Sequence, residues 1–409
     1  MLEKPAAVAE PSLFGVRVGM ANLGLWTALL TPAIVTLSAR ISVIDPVNKE
    51  ASYGLVAGVG AFIAMVANPL FGRLSDRTMS RFGRRRPWIT AGALGGGAGL
   101  VIVTLAPTIP LILLGWCLTQ VSFNAALAAL TATVPDVVPE ERRGKVSGWI
   151  GFAQLGAVVT GGLIVGFVPS LALKIIIPGA LGVILLVTFS HYFADRPAAG
   201  RSPFSVKEFL SSFWTSPRAN PDFAWAWLTR FLVVLGVFGP AGYEIYFLAE
   251  KIGLPKAEAE SKIGILLMIT SIISAGTALL GGWLSDVLDR RKVFVIAAAL
   301  IMTVSVAFFI TADSYTDVLI AHLISGLGTG MFYAVDFALA TLVMPKGESS
   351  GKELGVFNIA NALPQSIGPM FVPLLLAIGD GKNYAAVYTA AAISALLGAI
   401  LVTRIKSVR

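Results

Sequence analysis

Cysteine is nearly absent from this chain of 409 residues: Cys117 stands alone. No internal disulfide can form, and its place in an apolar run reads as a small core residue. With only two histidines beside it, the chain has too few ligands for a structural metal centre. Charge is scarce as well. Only 13% of residues are charged, about half the share of a soluble domain. By contrast 56% are apolar and the mean hydropathy is +0.80. That combination excludes disorder. Also missing are a G-x-x-x-x-G-K-[ST] loop and any soluble domain that could hold a catalytic site. An enzyme is therefore not expected, nor a cofactor, and any work done is driven by gradients rather than ATP. The N-terminus is polar and the first apolar segment is full length, so no cleavable signal peptide is expected.

What is present is long apolar sequence. Runs without a charge span Val18–Ala39, Ala51–Gly72, Pro87–Pro135, Val146–Leu173, Ile175–Ala194, Ile263–Ser285, Val293–Ala312, Leu354–Gly379 and Asn383–Thr403. A bilayer span takes about 20 such residues, and the run from Pro87 holds two spans. The pattern predicts an all-α membrane protein of twelve transmembrane helices, at roughly 14–39, 51–72, 88–106, 109–134, 145–168, 171–192, 222–248, 261–284, 292–312, 316–343, 352–378 and 383–403. The longest connection contains Pro197, Gly200 and Pro203, then an amphipathic stretch at Val206–Phe213. It predicts one six-helix bundle over 1–192, a linker over 193–221 and a second six-helix bundle over 222–409.

An even number of spans puts both termini on one face, called side A. Of the 31 lysines and arginines, 23 fall on side A and seven on side B, with Arg230 inside a helix. The positive-inside rule makes side A cytoplasmic, which places the chain in the cytoplasmic membrane. The same bias accounts for the net charge of +8 without a nucleic-acid partner.

The two halves repeat. Gly72-Arg-Leu-Ser-Asp76 returns as Gly282-Trp-Leu-Ser-Asp286, Pro135 as Pro345, and Gly144-Lys145 with Gly148 as Gly351-Lys352 with Gly355, at offsets of 210, 210 and 207. Internal repeats mark secondary transporters, whose site lies between the repeats near mid-membrane.

The segment Gly72–Pro87, GRLSDRTMSRFGRRRP, resembles the loop between helices two and three of the major facilitator superfamily. Its longer form is most similar to that of the glycoside–cation symporters and sucrose-type sugar transporters. The resemblance covers the whole chain at the level of twelve helices and a six-plus-six repeat, with a degenerate second copy at Gly282–Lys292. It implies two pseudo-symmetric bundles rocking about a central cavity lined by helices one, four, seven and ten. It also implies that the loop latches one conformation, with Gly72, Asp76, Arg77, Gly83, Arg84 and Asp286 as gating residues. Read physically, Gly72 permits close helix approach. Asp76 and Arg77 can pair with each other or with a neighbouring helix end, Gly83 turns the chain, and Arg84–Arg86 can face anionic headgroups. A purely topogenic basic loop is the plainer alternative.

Charges inside a span default to function. Three lie well inside: Arg230 and Glu244 in helix seven and Asp336 in helix ten. Arg230 and Asp336 lie about 12 and 11 Å from the side A face, which predicts an ion pair. That pair either takes up a proton or holds the cytoplasmic half of the cavity, with a static structural contact as the plainer alternative. Glu244 sits in a run broken by Gly239, Pro240 and Gly242. It is a third candidate for proton coupling, or else a solvated group at the outer headgroups. Tyr243 and Tyr246 offer hydroxyls and aromatic faces to a sugar.

Neutral candidates for the substrate site are Asn22 and Trp26 on helix one, Gln120 and Asn124 on helix four, Tyr333 on helix ten, and Asn358, Asn361 and Gln365 on helix eleven. Spacings of three and four put each set on one face, where helix–helix hydrogen bonding is the alternative. His322 reads as a surface or loop contact near the outer end of helix ten. The glycines of 92–99 and 156–166 read as packing faces.

The expected function is proton-coupled uptake of a sugar or glycoside by a monomer embedded in the bilayer. Sodium-coupled members of the glycoside branch carry carboxylates in the middle of helix two, and helix two has none here, so a proton fits better than sodium. A drug or metabolite exporter is the first alternative. Gly156, Gly161 and Gly162 resemble the exporters' helix-five glycine motif without its proline. A transport-inactive receptor or scaffold is the second, and it would need no broken helix with buried charges.

Overall fold

A computed structural model describes residues 13–197, 215–344, 350–379 and 382–408. Most of the linker, with the amphipathic stretch at 206–213, lies outside the described residues, as do Lys4, Pro345 and Lys346. Twelve helices are long and apolar enough to cross a membrane. They are α1 Phe14–Ile44, α2 Lys49–Asp76, α3 Arg86–Leu105, α4 Ile109–Val137, α5 Glu141–Phe167, α6 Leu171–Tyr192, α7 Pro221–Glu250, α8 Lys256–Leu288, α9 Arg291–Thr311, α10 Tyr315–Val343, α11 Gly355–Leu376 and α12 Tyr384–Arg404. Several run past the expected ends. α8 begins at Lys256 rather than about 261 and α2 continues to Asp76, because polar turns continue a helix into the headgroup layer at no extra backbone cost. Without water in the bilayer core, each backbone donor must be satisfied within its own segment. Among the described residues the only strand-like pairing is an isolated bridge, Ser80 with Gly83.

Two helices depart from regularity. α1 carries a wide π turn at Pro32–Thr36. α7 stops at Phe238, makes a 3-10 turn over Ala241–Tyr243 and resumes at Glu244–Glu250. Each break follows a proline, Pro32 or Pro240, which removes one backbone donor.

The packing repeats with a period of six helices. α1 packs on α5 and α6, α2 on α4, and α3 on α4 and α6. In the second bundle α7 packs on α11 and α12, α8 on α10, and α9 on α10 and α12. The glycine stripe of α3 does what its spacing implied. A side chain at Gly92, Gly96 or Gly99 would collide with Ser122, Phe123 or Thr119 of α4, so these glycines let the two backbones meet.

The bundles join through α2 with α11 and α5 with α8, and the contacts are one-sided. Near side B, Gly54 and Gly58 face Pro369, Met370 and Ser366, while Gly162 and Gly264 lie backbone to backbone, a Cβ on either meeting the other's carbonyl oxygen at 2.6–2.7 Å. Nearer side A, a Cβ added at Gly144, Gly148, Gly151 or Gly355 would meet nothing within 4 Å. The bundles therefore diverge into a cleft that opens to side A.

On side A the loop after α2 ties three helix ends together. Asp76 pairs with Arg85 at 2.5 Å, and Arg85 and Arg84 both reach Asp136 near the end of α4, at 2.9 and 2.6 Å. Of the two expected partners for Asp76, Arg77 or a neighbouring helix end, the pair with Arg85 is of the second kind. Arg84 and Arg85 thus find carboxylate partners on the neighbouring helix ends. Burial alone would lower the Arg85 pKa, but bonding to Asp136 and the charges of Asp136 and Asp76 outweigh it and hold the guanidinium above its ordinary value. Asp195, just past α6, accepts from the backbone N–H groups of Arg85 and Arg86 and so caps α3. The second copy keeps part of this plan: Asp286 pairs with Arg291 at 2.9 Å.

Gly83 is required twice over. Its φ is +98°, and a Cβ would lie 2.3 Å from the Asp195 carboxylate. Gly83→Ala should destabilise the first bundle by about 1–2 kcal/mol from backbone strain alone, read as a lower unfolding temperature in detergent. An unchanged temperature would refute this role. Gly264→Leu, which overfills the seam near side B, should reduce cross-linking of Lys49→Cys to Glu250→Cys by a short bifunctional maleimide in a Cys117→Ser background. Unaltered cross-linking would contradict the one-sided seam.

Candidate functional site

The buried polar groups fall into two clusters at different depths. The deeper one toward side A lies between α7, α10 and α11. Arg230 donates to Asp336 at 2.5 Å, with the Asp336 side chain 1% exposed. The guanidinium carbon stands 4.7 Å from the Phe357 ring centre and 5.4 Å from that of Tyr333. Arginine suits this position because its weakly hydrated plane stacks on aromatic faces. The Tyr333 hydroxyl donates to Asn361 at 3.3 Å, and Gln365 donates to the Asn361 carbonyl at 3.0 Å. The Arg230 Nε is buried with no partner, an unmet donor at the heart of the cluster.

Asn358 is exposed. It lies eleven residues before Pro369, close to three whole turns, and so on the side of α11 that meets Gly54 of α2 near side B. The other neutral candidates are more enclosed. Asn22 donates to Val18 O at 2.8 Å and Asn124 to Gln120 O at 2.8 Å, each within its own helix. Trp26 is half-buried against the core of the first bundle. Asn22 and Asn124 thus spend donors on their own helices, and Gln120 accepts from Asn124, the alternative reading of their spacing.

The second cluster lies toward side B, and here the structure corrects three expectations. Tyr243 and Tyr246 do not point into the cleft. The Tyr243 hydroxyl lies 3.0 Å from Glu50 O and 2.6 Å from Pro369 O, and Tyr246 donates to Ser38 O at 2.7 Å. Both close the seam between the bundles, since the turn after Pro240 swings them toward α1 and α2. Tyr53 completes a group of three rings, with its centre 5.0 Å from that of Tyr243. Its hydroxyl occupies the space that a side chain at Gly242 would need. Glu244 is not solvated at the headgroups. It faces His322 at 3.1 Å. His322 in turn is not a surface residue but 5% exposed, bonded to Thr270.

Ion pairs fasten the same seam across the bundles. Lys49 of α2 contacts Glu250 of α7, and Lys174 of α6 reaches Glu260 of α8 at 2.6 Å. Lys382 and Tyr384 also bind Glu250, at 3.1 and 2.9 Å. Lys49, Tyr53, Lys174, Glu250 and Glu260 escaped the reading of the sequence, which searched mid-span for charge. The sparse lysines and glutamates at the side B ends were the available signal.

No group of three or more metal-ligating side chains occurs among the described residues. The arrangement offers a pre-formed ion pair, aromatic faces and neutral amides beside a cleft, which suits binding of a polar solute.

Solved structures share this architecture. A D-xylose–proton symporter superposes with a TM-score of 0.70 at 16% identity, over 97% of this chain and 98% of that one. Among characterised sequences, the tetracycline resistance protein, class E, of Escherichia coli is 27% identical over 161 residues, 36% of this chain and 38% of that protein. The sucrose transport protein SUC4 of Arabidopsis thaliana is 22% identical over 86% of this chain and 80% of its own length. The match to the tetracycline protein thus takes in well under half of that relative. The family pattern itself covers nearly everything described above, matching residues 18–369 and 231–408. With twelve spans, a six-helix repeat and the loop at Gly72–Pro87 all in register with that match, the chain belongs to the Major Facilitator Superfamily.

Proposed function

We propose that the chain is a secondary transporter that takes up a sugar or glycoside together with protons across the cytoplasmic membrane. The observation that carries this reading is the buried Arg230–Asp336 pair beside a cleft that is open on side A and sealed on side B. With side A read as cytoplasmic from its excess of basic residues, this reading makes the arrangement an inward-facing stage of an alternating-access cycle. The cleft lies within a single chain, so a monomer suffices.

Asp336 is the proton acceptor in this reading. A carboxylate held by one guanidinium can exchange that partner for a proton, and the freed Arg230 can then bind a substrate oxygen together with its already unmet Nε donor. Tyr333 and Phe357 supply flat apolar surface, while Asn358, Asn361 and Gln365 supply neutral donors and acceptors. Few convergent polar groups on an aromatic wall fit a hydroxyl-rich solute. The sucrose transport protein supports the sugar class because its likeness runs over most of both chains. The domain division at 193–221 is part of the same proposal, with each bundle rocking as a unit. A second reading, export of a drug or metabolite, is favoured by the tetracycline resistance relative. There the same pair would exchange a proton against an outgoing substrate.

Proteoliposomes given an inward proton gradient and a panel of labelled sugars separate the two. Accumulation of a sugar supports uptake, while extrusion of a hydrophobic cation with no sugar transport supports export. Asp336→Asn should abolish gradient-driven accumulation of the transported sugar. Leaving Arg230 buried without its partner costs about 3–5 kcal/mol, so rates are normalised to folded protein by size-exclusion chromatography. Unchanged accumulation and pH dependence in Asp336→Asn would exclude this residue as the acceptor.

A further inference from the structure

We propose that His322 and Glu244 form a second proton site, distinct from Arg230–Asp336, that locks the side B seam when it is protonated. His322 Nε2 lies 3.1 Å from the Glu244 carboxylate, and its Nδ1 lies 2.9 Å from the Thr270 hydroxyl. Three helices of one bundle, α7, α8 and α10, thus meet at a single imidazole.

The contacts around the ring have room for one added proton. Thr270 has one hydroxyl proton, and its oxygen lies 2.9 Å from Leu266 O, a bond back along its own helix. With that proton given to Leu266, the Thr270 oxygen is free to accept from Nδ1–H. The ring then donates from Nδ1 to Thr270, and one further proton is shared between Nε2 and Glu244. With that proton bound, the imidazolium and the Glu244 carboxylate face each other as opposite charges, the stronger form of this contact. Without it, Nε2–H still reaches Glu244 while the Thr270 hydroxyl turns from Leu266 O to Nδ1, and the attraction between opposite charges is lost. No lysine or arginine lies within 4.0 Å of Glu244 among the described residues. α9 presents the Phe309 ring 6.0 Å from the imidazole. α12 presents Tyr388, close enough to Glu244 to feel its charge and with a buried hydroxyl that has no partner. A carboxylate in such a setting has no cation but the imidazolium to offset its desolvation.

The site is coupled to the seam by covalent continuity. Glu244 is the first residue of the short outer segment of α7, Glu244–Glu250. Tyr243 precedes it, and Tyr246 and Glu250 lie within the segment. All three of those side chains contact the other bundle, at Glu50, Ser38 and Lys49. Protonation fastens this segment to α8 and α10 in the position that closes the seam. Loss of the proton, to water on side B when the seam opens, loosens it. Acid on side B therefore favours the closed seam and alkali the open one. This holds whatever the substrate, and does not rest on the proposed uptake of sugar.

Spin labels at Val47→Cys and Ile378→Cys, both exposed and on opposite sides of the seam, report its width in lipid nanodiscs with Cys117→Ser. Without substrate, the ratio of short to long distances should fall by about threefold or more between acid and alkaline buffer, as a modest population shift requires. The acid and alkaline buffers lie at about pH 5.5 and 8.5, on either side of neutrality. His322→Gln and Glu244→Gln should each lose the dependence, Thr270→Val should move its midpoint, and Asp336→Asn should keep it. A wild-type ratio that ignores pH would falsify the proposal. So would a dependence that survives in His322→Gln and Glu244→Gln, or one that vanishes only in Asp336→Asn. If a glutamine variant does not fold, an unmoved midpoint in Thr270→Val overturns the proposal by itself.

Discussion

Two apolar bundles immersed in hydrocarbon gain nothing from hiding greasy surface against each other, because lipid is equally greasy. What holds them is close backbone approach and a few buried polar contacts, and here both are confined to the half of the membrane nearer side B. Gly162 against Gly264 and Gly54 and Gly58 against α11 supply the approach. Tyr243, Tyr246 and the pairs Lys49–Glu250 and Lys174–Glu260 supply the polar contacts. The same economy explains the opening on side A. There Gly148, Gly151 and Gly355 present bare backbone to empty space, a surface able to form an equivalent contact when the bundles tilt the other way.

The polar groups divide between the two ends of this hinge-like arrangement. Arg230 and Asp336 sit toward the open end, within one bundle, close to amides of α11. Glu244 and His322 sit toward the sealed end, in the same bundle, behind the tyrosines that form the seal. In the proposed reading, a bundle that carries both has one group to meet the solute and another to sense whether the seam is shut. The loop at Gly72–Pro87 has a third role. With Arg85 between Asp76 and Asp136, it fixes the side A ends of α2, α3 and α4 to one another.

Much of this was readable in the residues. Charge-free runs announced twelve spans, and the repeats at 72–76 and 282–286 announced the six-helix period. The equal depths of Arg230 and Asp336 announced their meeting, and Pro240 announced the break in α7. What escaped was set by direction rather than by residue type. Tyr243, Glu244 and Tyr246 are three neighbours on a broken helix, and only the angle of the turn after Pro240 decides that the tyrosines face the other bundle while the glutamate faces His322. Likewise Arg84 and Arg85 look topogenic in a basic loop until Asp136, some fifty residues on, is brought beside them. Long-range partners of that kind leave no periodic trace in a single sequence.

The claim on which all of this turns is that the bundles part on side A while they are joined on side B. Single cysteines at Gly148, Gly151 and Val165 of α5, in a Cys117→Ser background, sample the two depths along one helix. A membrane-impermeant maleimide applied from side A should label positions 148 and 151 and spare 165. Equal labelling of all three, or of 165 alone, would contradict the account.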